Sequence, residues 1–182
     1  MNNKNKGKIL WLTRTSLFIA LLIVSQAATA PLGNTLITGS IVNMMLIVSV
    51  ITCGLASGLS VAVCSQIFAT LLGIGPQMPP LIPFIIAGNV TIILIWHFVC
   101  KMKFRNEHIA RVVALAIGAV GKFLVLYFGV TKIAAPLILN LPPAAPVYVM
   151  FSFPQLITAS IGGALATAII PTLKKVIGER QE

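Results

Sequence analysis

Lys122 is the single charge in the apolar run VVALAIGAVGKFLVLYFGV, residues 112–130. A run of ~20 apolar residues is long enough to cross the hydrocarbon core of a bilayer. An ionisable side chain there costs ~2.5–3.5 kcal/mol on insertion scales, so it marks a function or a buried partner. Glu107, Glu179 and Glu182 are the only acids in the chain, and none falls in an apolar run. Lys122 must therefore be deprotonated, hydrated, held by carbonyl oxygens, or matched to an anionic group from outside the chain. Snorkelling to the membrane surface is the competing reading. Asn43, Gln66, Asn89 and Gln155 each fall in a different apolar run. Such amides either bond a neighbouring helix, for ~0.6 kcal/mol each, or join the amine in contacting a small ligand.

The elements that must position these groups are membrane helices. The chain has 182 residues, 58% hydrophobic and 9% charged, whereas soluble domains carry ~25% charged residues. So little polar surface makes membrane embedding close to forced. Turn residues divide the chain into six expected spans, at about residues 9–30, 36–52, 55–74, 81–100, 109–130 and 147–173. A long Pro-rich connection, residues 131–146, is expected before the sixth. The first run ends in Ala28-Thr29-Ala30, as a signal peptide would, but Pro31 after the cut and the length of the run favour a retained span. The expected fold is an all-α integral membrane bundle of six transmembrane helices in a single domain, residues 1–182, with a leader at 1–8 and a tail at 174–182.

The net charge of +10 reflects topology. With the N-terminus inside, the inner segments hold eleven of the thirteen Lys and Arg residues, the outer connections hold only Lys132, and Lys122 lies within a span. The positive-inside rule therefore predicts cytoplasmic N- and C-termini. In that frame Asn43, Gln66, Asn89 and Lys122 lie about seven or eight residues from the outer ends of their spans, ~10–12 Å deep at 1.5 Å per residue. Gln26 and Gln155 lie somewhat nearer the surface. Trp11, Trp96 and His97 are expected at the opposite, inner level.

Small residues predict which faces pack, because they let membrane helices approach closely. Ala110, Ala114 and Gly118 lead by four-residue steps to Lys122, and Gly54, Gly58 and Ala62 lead to Gln66. Ala159, Gly162, Gly163 and Ala166 form a third stripe. Lys122 is therefore predicted on a packing face, level with amides from other spans.

Other chemistry finds little support. The string AIGAVGKF, residues 116–123, departs from a phosphate-binding loop at its first Gly and its Ser or Thr, and it lies inside an apolar helix. Two histidines, three dispersed cysteines and no intramembrane acid make no metal site and no disulfide. His97 reads as interfacial or packing, and His108 as solvated. No nucleophile–base pair suggests an enzyme, no cofactor is expected, and no basic–aromatic surface suggests nucleic acid. The lack of intramembrane carboxylates argues against a proton-coupled pump.

Thr13-Arg14 enters span one, and Thr38-Gly39-Ser40-Ile41-Val42-Asn43 opens span two. A small-residue-rich third span, a Pro-rich break at residues 76–83 and the string LIPFIIAGN at residues 81–89 follow. With the long connection before span six, this pattern resembles the substrate-binding S component of energy-coupling factor (ECF) transporters, across nearly the whole chain in length and topology. The resemblance implies a multi-pass protein of a prokaryotic plasma membrane that captures a vitamin or similar small organic micronutrient from outside. It implies a transmembrane coupling (T) subunit and two cytoplasmic ATPases as partners, with Ser16 and Ala20 at the spacing of a coupling-subunit docking face. Members for nickel and cobalt carry a histidine near the N-terminus that this chain lacks, so a metal substrate is disfavoured. The expected substrate contacts are Lys122, Asn43, Asn89, Gln66 and Gln155, with outer connections 31–34, 75–80 and 131–146 closing over the ligand. The alternatives are a structural or assembly membrane protein and a facilitator needing no ATPase. The substrate itself is not legible.

The orientation is testable in a chain whose three native cysteines are replaced. A membrane-impermeant thiol reagent added to intact cells should label Gln77→Cys and spare Arg105→Cys; the opposite pattern would invert the topology.

Overall fold

Runs of Leu, Ile, Val and Ala without interior breaks give long helices, and the computed structural model, which describes residues 3–179, is built from them. The helices are α1 (Asn3–Thr29), α2 (Thr35–Cys53), α3 (Leu55–Leu71), α4 (Ile82–Lys101), α5 (Glu107–Leu126), α6 (Pro146–Met150) and α7 (Phe153–Glu179). No strand occurs among the described residues. Five stretches are long and apolar enough to cross a membrane: Gly7–Leu32, Thr35–Cys53, Pro79–Lys101, Glu107–Ile138 and Pro146–Lys175. Leu55–Leu71 is apolar but shorter. The protein is an all-α membrane bundle. Arg180 and Glu182, from the expected tail, and the side chains of Lys4 and Lys6, from the leader, lie outside the described residues.

Local chemistry sets the boundaries. Asn34 and Asn106 cap α2 and α5 by accepting hydrogen bonds from Leu36 N at 3.0 Å and His108 N at 2.9 Å. Gly54 alone separates α2 from α3, with φ +88° in the region that favours glycine. This one-residue corner turns the chain back on itself.

The faces that meet are the predicted small-residue stripes. Ala110, Ala114, Gly118 and Lys122 are all buried on α5, as are Gly58, Ala62 and Gln66 on α3. A close approach of backbones joins α2 to α7. A Cβ at Gly162 would lie 2.6 Å from both Asn43 Cβ and Ser40 O, and one at Gly39 would lie 2.9 Å from Thr158 Cγ2. Trp96 is fully buried at the centre of the main core with Leu22, Ile47, Val61, Ile92 and Ile170. Outward faces remain apolar, with Val24, Phe98, Val112 and Leu137 more than half exposed, as a lipid-facing surface requires.

Two expectations are corrected. The long connection at residues 131–146 does not form, because α5 continues as a π-helix over Tyr127–Ile138 and leaves only residues 139–145 as loop. Pro136 lies inside this segment; it donates no N–H, and its ring collides with a carbonyl in a regular α-helix. The wider turn accommodates it while burying Val130, Ala134 and Ala135 against Leu81, Val147 and Phe151. The sixth span is not one helix either. It breaks after Met150 and restarts at Phe153, where Pro154 suits the first turn of a new helix. Trp96, expected at the inner level, is buried in the core, where Gly118 and Gly163 leave room for its ring between α5 and α7. Trp11, by contrast, is 40% exposed.

Gly162→Ala should lower the thermal unfolding midpoint in detergent by the equivalent of ~1–3 kcal/mol of overpacking. Gly7→Ala, where nothing lies within 4 Å of the added Cβ, should leave it unchanged or raise it slightly, since Ala favours a helix over Gly. Equal midpoints for the two variants would contradict a tight α2–α7 contact.

Candidate functional site

Three helices deliver three side chains to one point. Lys122 Nζ of α5 donates to Asn43 Oδ1 of α2 at 2.6 Å and to Asn89 Oδ1 of α4 at 2.6 Å. Lys122 is 4% exposed, Asn43 1% and Asn89 3%. Of the readings open from sequence, retention by carbonyl oxygens is the one observed. Snorkelling is overturned: the small residues below Lys122 draw α5 inward, so the side chain ends against the amides instead of reaching the surface.

The amides are themselves oriented. Asn43 Nδ2 donates to Thr158 Oγ1 of α7 at 3.4 Å, which turns Oδ1 toward the lysine. Thr158 in turn donates to Gln155 O at 3.2 Å. An ammonium carries three donors, and two are committed to Asn43 and Asn89. Among the described residues the ion pairs are those of Glu107 with Arg111 and Lys174, near the opposite end of α5. The cage therefore solvates Lys122 without neutralising it.

The cage opens on a cavity of about 260 Å³, the volume of roughly nine liquid waters. All five residues predicted from sequence line it: Lys122, Asn43, Asn89, Gln66 and Gln155. They do not play equal parts. Gln66 Nε2 donates to Thr70 Oγ1 at 3.4 Å, and Gln155 Nε2 donates to Met150 O at 3.0 Å across the α6–α7 break. Each thus spends a donor on local structure. Val42, Ile74, Ile85, Leu126, Met150 and Phe151 supply an apolar wall.

Sequence reasoning placed Gln26 near this level without assigning it to the site. It also lines the cavity, is 7% exposed, and its buried Oε1 has no hydrogen-bond partner among the described residues. Its signal was the spacing of Thr15, Leu22 and Gln26 along the buried side of α1. Thr158 was missed altogether, although it stands one turn beyond Gln155 on the same helix.

Two of the three expected connections line the cavity, one through Gly33 and Asn34 and the other through Gly75 and Pro76. Residues 131–146 do not line the cavity; Met150 and Phe151 take that place because the π-helix has removed most of the loop. Ser16 and Ala20 lie on the exposed side of α1, whereas Thr15 on its other side bonds Ser57 of α3. Among the described residues no group of three or more His, Cys, Asp or Glu side chains could hold a metal ion.

Asn89→Leu should cost ~1.5–3 kcal/mol, the worth of a hydrogen bond to a charged group. Adding Lys122→Met removes the donor left stranded, so the double variant should unfold at a higher temperature than Asn89→Leu alone. A double variant as unstable as the summed single changes would mean that the lysine and the amide act independently.

No family model, curated protein or solved structure matches the chain.

Proposed function

We propose that this protein is the substrate-capturing membrane subunit of an uptake transporter, of the kind represented by ECF S components, and that it takes up a small organic anion. The observation that carries the reading is the un-neutralised Lys122 cage opening on a cavity at one end of the bundle. A carboxylate or phosphate on the ligand accepts the remaining Nζ donor and supplies the missing negative charge. The apolar wall covers the body of the ligand. Gln26 Oε1, buried and without a partner, accepts from an N–H or O–H elsewhere on the molecule. Polar groups converging on a mainly apolar pocket are the usual make-up of a small-molecule site. The volume favours a compact ligand such as a single-ring vitamin or a short functionalised acid.

The positive-inside rule turns the cavity mouth to the outside of a prokaryotic plasma membrane. Energy then comes from partners: a transmembrane coupling subunit, docking on the α1 face that carries Ser16 and Ala20, and two cytoplasmic ATPases. The protein itself performs no covalent chemistry in this reading.

Mass spectrometry of small molecules released from the purified protein should identify an anionic compound. Lys122→Met should weaken its binding by about tenfold or more, the equivalent of losing a charge-assisted hydrogen bond. Unchanged affinity for an anionic ligand would remove Lys122 from the site. Co-purification with an ATPase pair supports the transporter assignment, whereas uptake by the isolated chain would instead mark a facilitator.

A further inference from the structure

The opposite end of α5 carries a second constellation that substrate capture does not use. Arg111, one turn into the helix, donates from Nη2 to Glu107 Oε2 at 2.8 Å. Lys174 of α7 donates to the same oxygen at 3.3 Å. Two cations thus share one carboxylate oxygen, and the cluster keeps a net positive charge. The Arg111 side chain is 8% exposed, while Glu107 is 69% exposed and Lys174 49%. Arg111 Nη1 is buried and has no hydrogen-bond partner among the described residues. A buried charged donor without an acceptor is costly, and a guanidinium presents its N–H groups as a planar fork suited to oxyanions.

These residues line a separate, partly open cavity of about 90 Å³ together with Ile51 of α2, Cys100 of α4, Ala110 of α5 and Ile170 of α7. That is the volume of roughly three waters, the scale of one tetrahedral oxyanion. Lys174 is half-exposed and the guanidinium that shares Glu107 with it is buried. Arg111 and Lys122 are eleven residues apart on α5, ~16 Å at 1.5 Å per residue, so the two cavities are distinct places. Lys101, Lys103 and Arg105 precede this end of α5, and the positive-inside rule assigns it to the cytoplasmic leaflet, where anionic lipids concentrate.

We propose that Arg111 and Lys174 form a binding site for a phosphate-type oxyanion between α2, α4, α5 and α7 at the basic end of the bundle. The phosphate enters past Lys174 and accepts from Arg111 Nη1, while Glu107 competes for the same cations. An anionic phospholipid headgroup and free phosphate both offer this chemistry.

The test is thermal unfolding of the purified full chain in detergent, titrated with phosphatidylglycerol, phosphatidylcholine or inorganic phosphate. Stabilisation by phosphatidylglycerol beyond that by phosphatidylcholine assigns the site to an anionic lipid. Stabilisation by inorganic phosphate alone assigns it to the free ion, and a response to both assigns it to the phosphate group itself. In each case Arg111→Gln should weaken the response by about tenfold or more. Lys174→Gln, at a half-exposed position, serves if Arg111→Gln does not fold, and should weaken it several-fold. Glu107→Gln separates an anion site from a structural ion pair, because removing the competing carboxylate should tighten binding. The proposal is overturned if neither phosphatidylglycerol nor phosphate stabilises, or if phosphatidylcholine matches phosphatidylglycerol with no response to phosphate. Unaltered binding in both cation variants, or unaltered or weaker binding in Glu107→Gln, would overturn it equally.

Discussion

A lysine amine enclosed by protein in the middle of a helical bundle must find acceptors there, and Asn43 and Asn89 provide them. Moving an ammonium from water into a low-dielectric interior costs several kcal/mol even after relaxation. Two amide oxygens at 2.6 Å replace part of the lost hydration. The solution constrains the bundle, because the oxygens belong to α2 and α4 while the amine belongs to α5. A shift of any one helix along its axis by a turn, ~5.4 Å, would break the contact. The register of three helices is therefore tied to a single nitrogen.

Close packing around that point makes the register hold. Gly162 brings α7 against Asn43, and Thr158 of the same helix fixes the direction of the Asn43 amide. Gly118, one turn from Lys122, leaves room for Trp96 beside α5. The small residues thus do more than let helices touch. They bring Thr158 close enough to engage Nδ2 of Asn43, which leaves its oxygen to the amine. Above the cage the bundle stops packing tightly: the α6–α7 break and the two Gly- and Pro-containing connections leave the space that becomes the cavity. Polar cage and apolar wall arise from one change in packing along the bundle axis.

Much of this was legible in the chain itself. The long apolar helices followed from apolar runs and turn residues, and burial of the Ala110–Gly118 face together with Lys122 followed from four-residue periodicity. Convergence of Asn43, Gln66, Asn89, Lys122 and Gln155 followed from depth, since antiparallel helices of known rise bring residues at equal depth to one level. What depth does not encode is azimuth. It could not say that Gln66 and Gln155 would turn toward Thr70 Oγ1 and Met150 O, or that Gln26 would keep a free oxygen. The π-helix at Tyr127–Ile138 was hidden for another reason. Pro136 reads as a breaker in an α-helix, and the alternative of widening the turn depends on the tertiary partners Leu81 and Phe151, which are remote in sequence.

The two buried cations of α5 show how environment separates groups of like charge on one helix. Arg111 lies one turn from the helix start and pairs with Glu107, an acid that its own helix can place at i−4. Lys122 lies near the other end, where the neighbouring helices offer amides and no acid. A carboxylate beside Lys122 would neutralise it and compete directly with any anion entering the cavity, so the amides keep the amine available. Arg111 is the mixed case, with one nitrogen answered by Glu107 and the other unanswered. Local pairing thus leaves positive charge at both ends of α5. The cavity at the lysine end is about 260 Å³ and that at the arginine end about 90 Å³. How closely the flanking helices approach thus gives the two ends of one helix spaces of different size around cations of like charge.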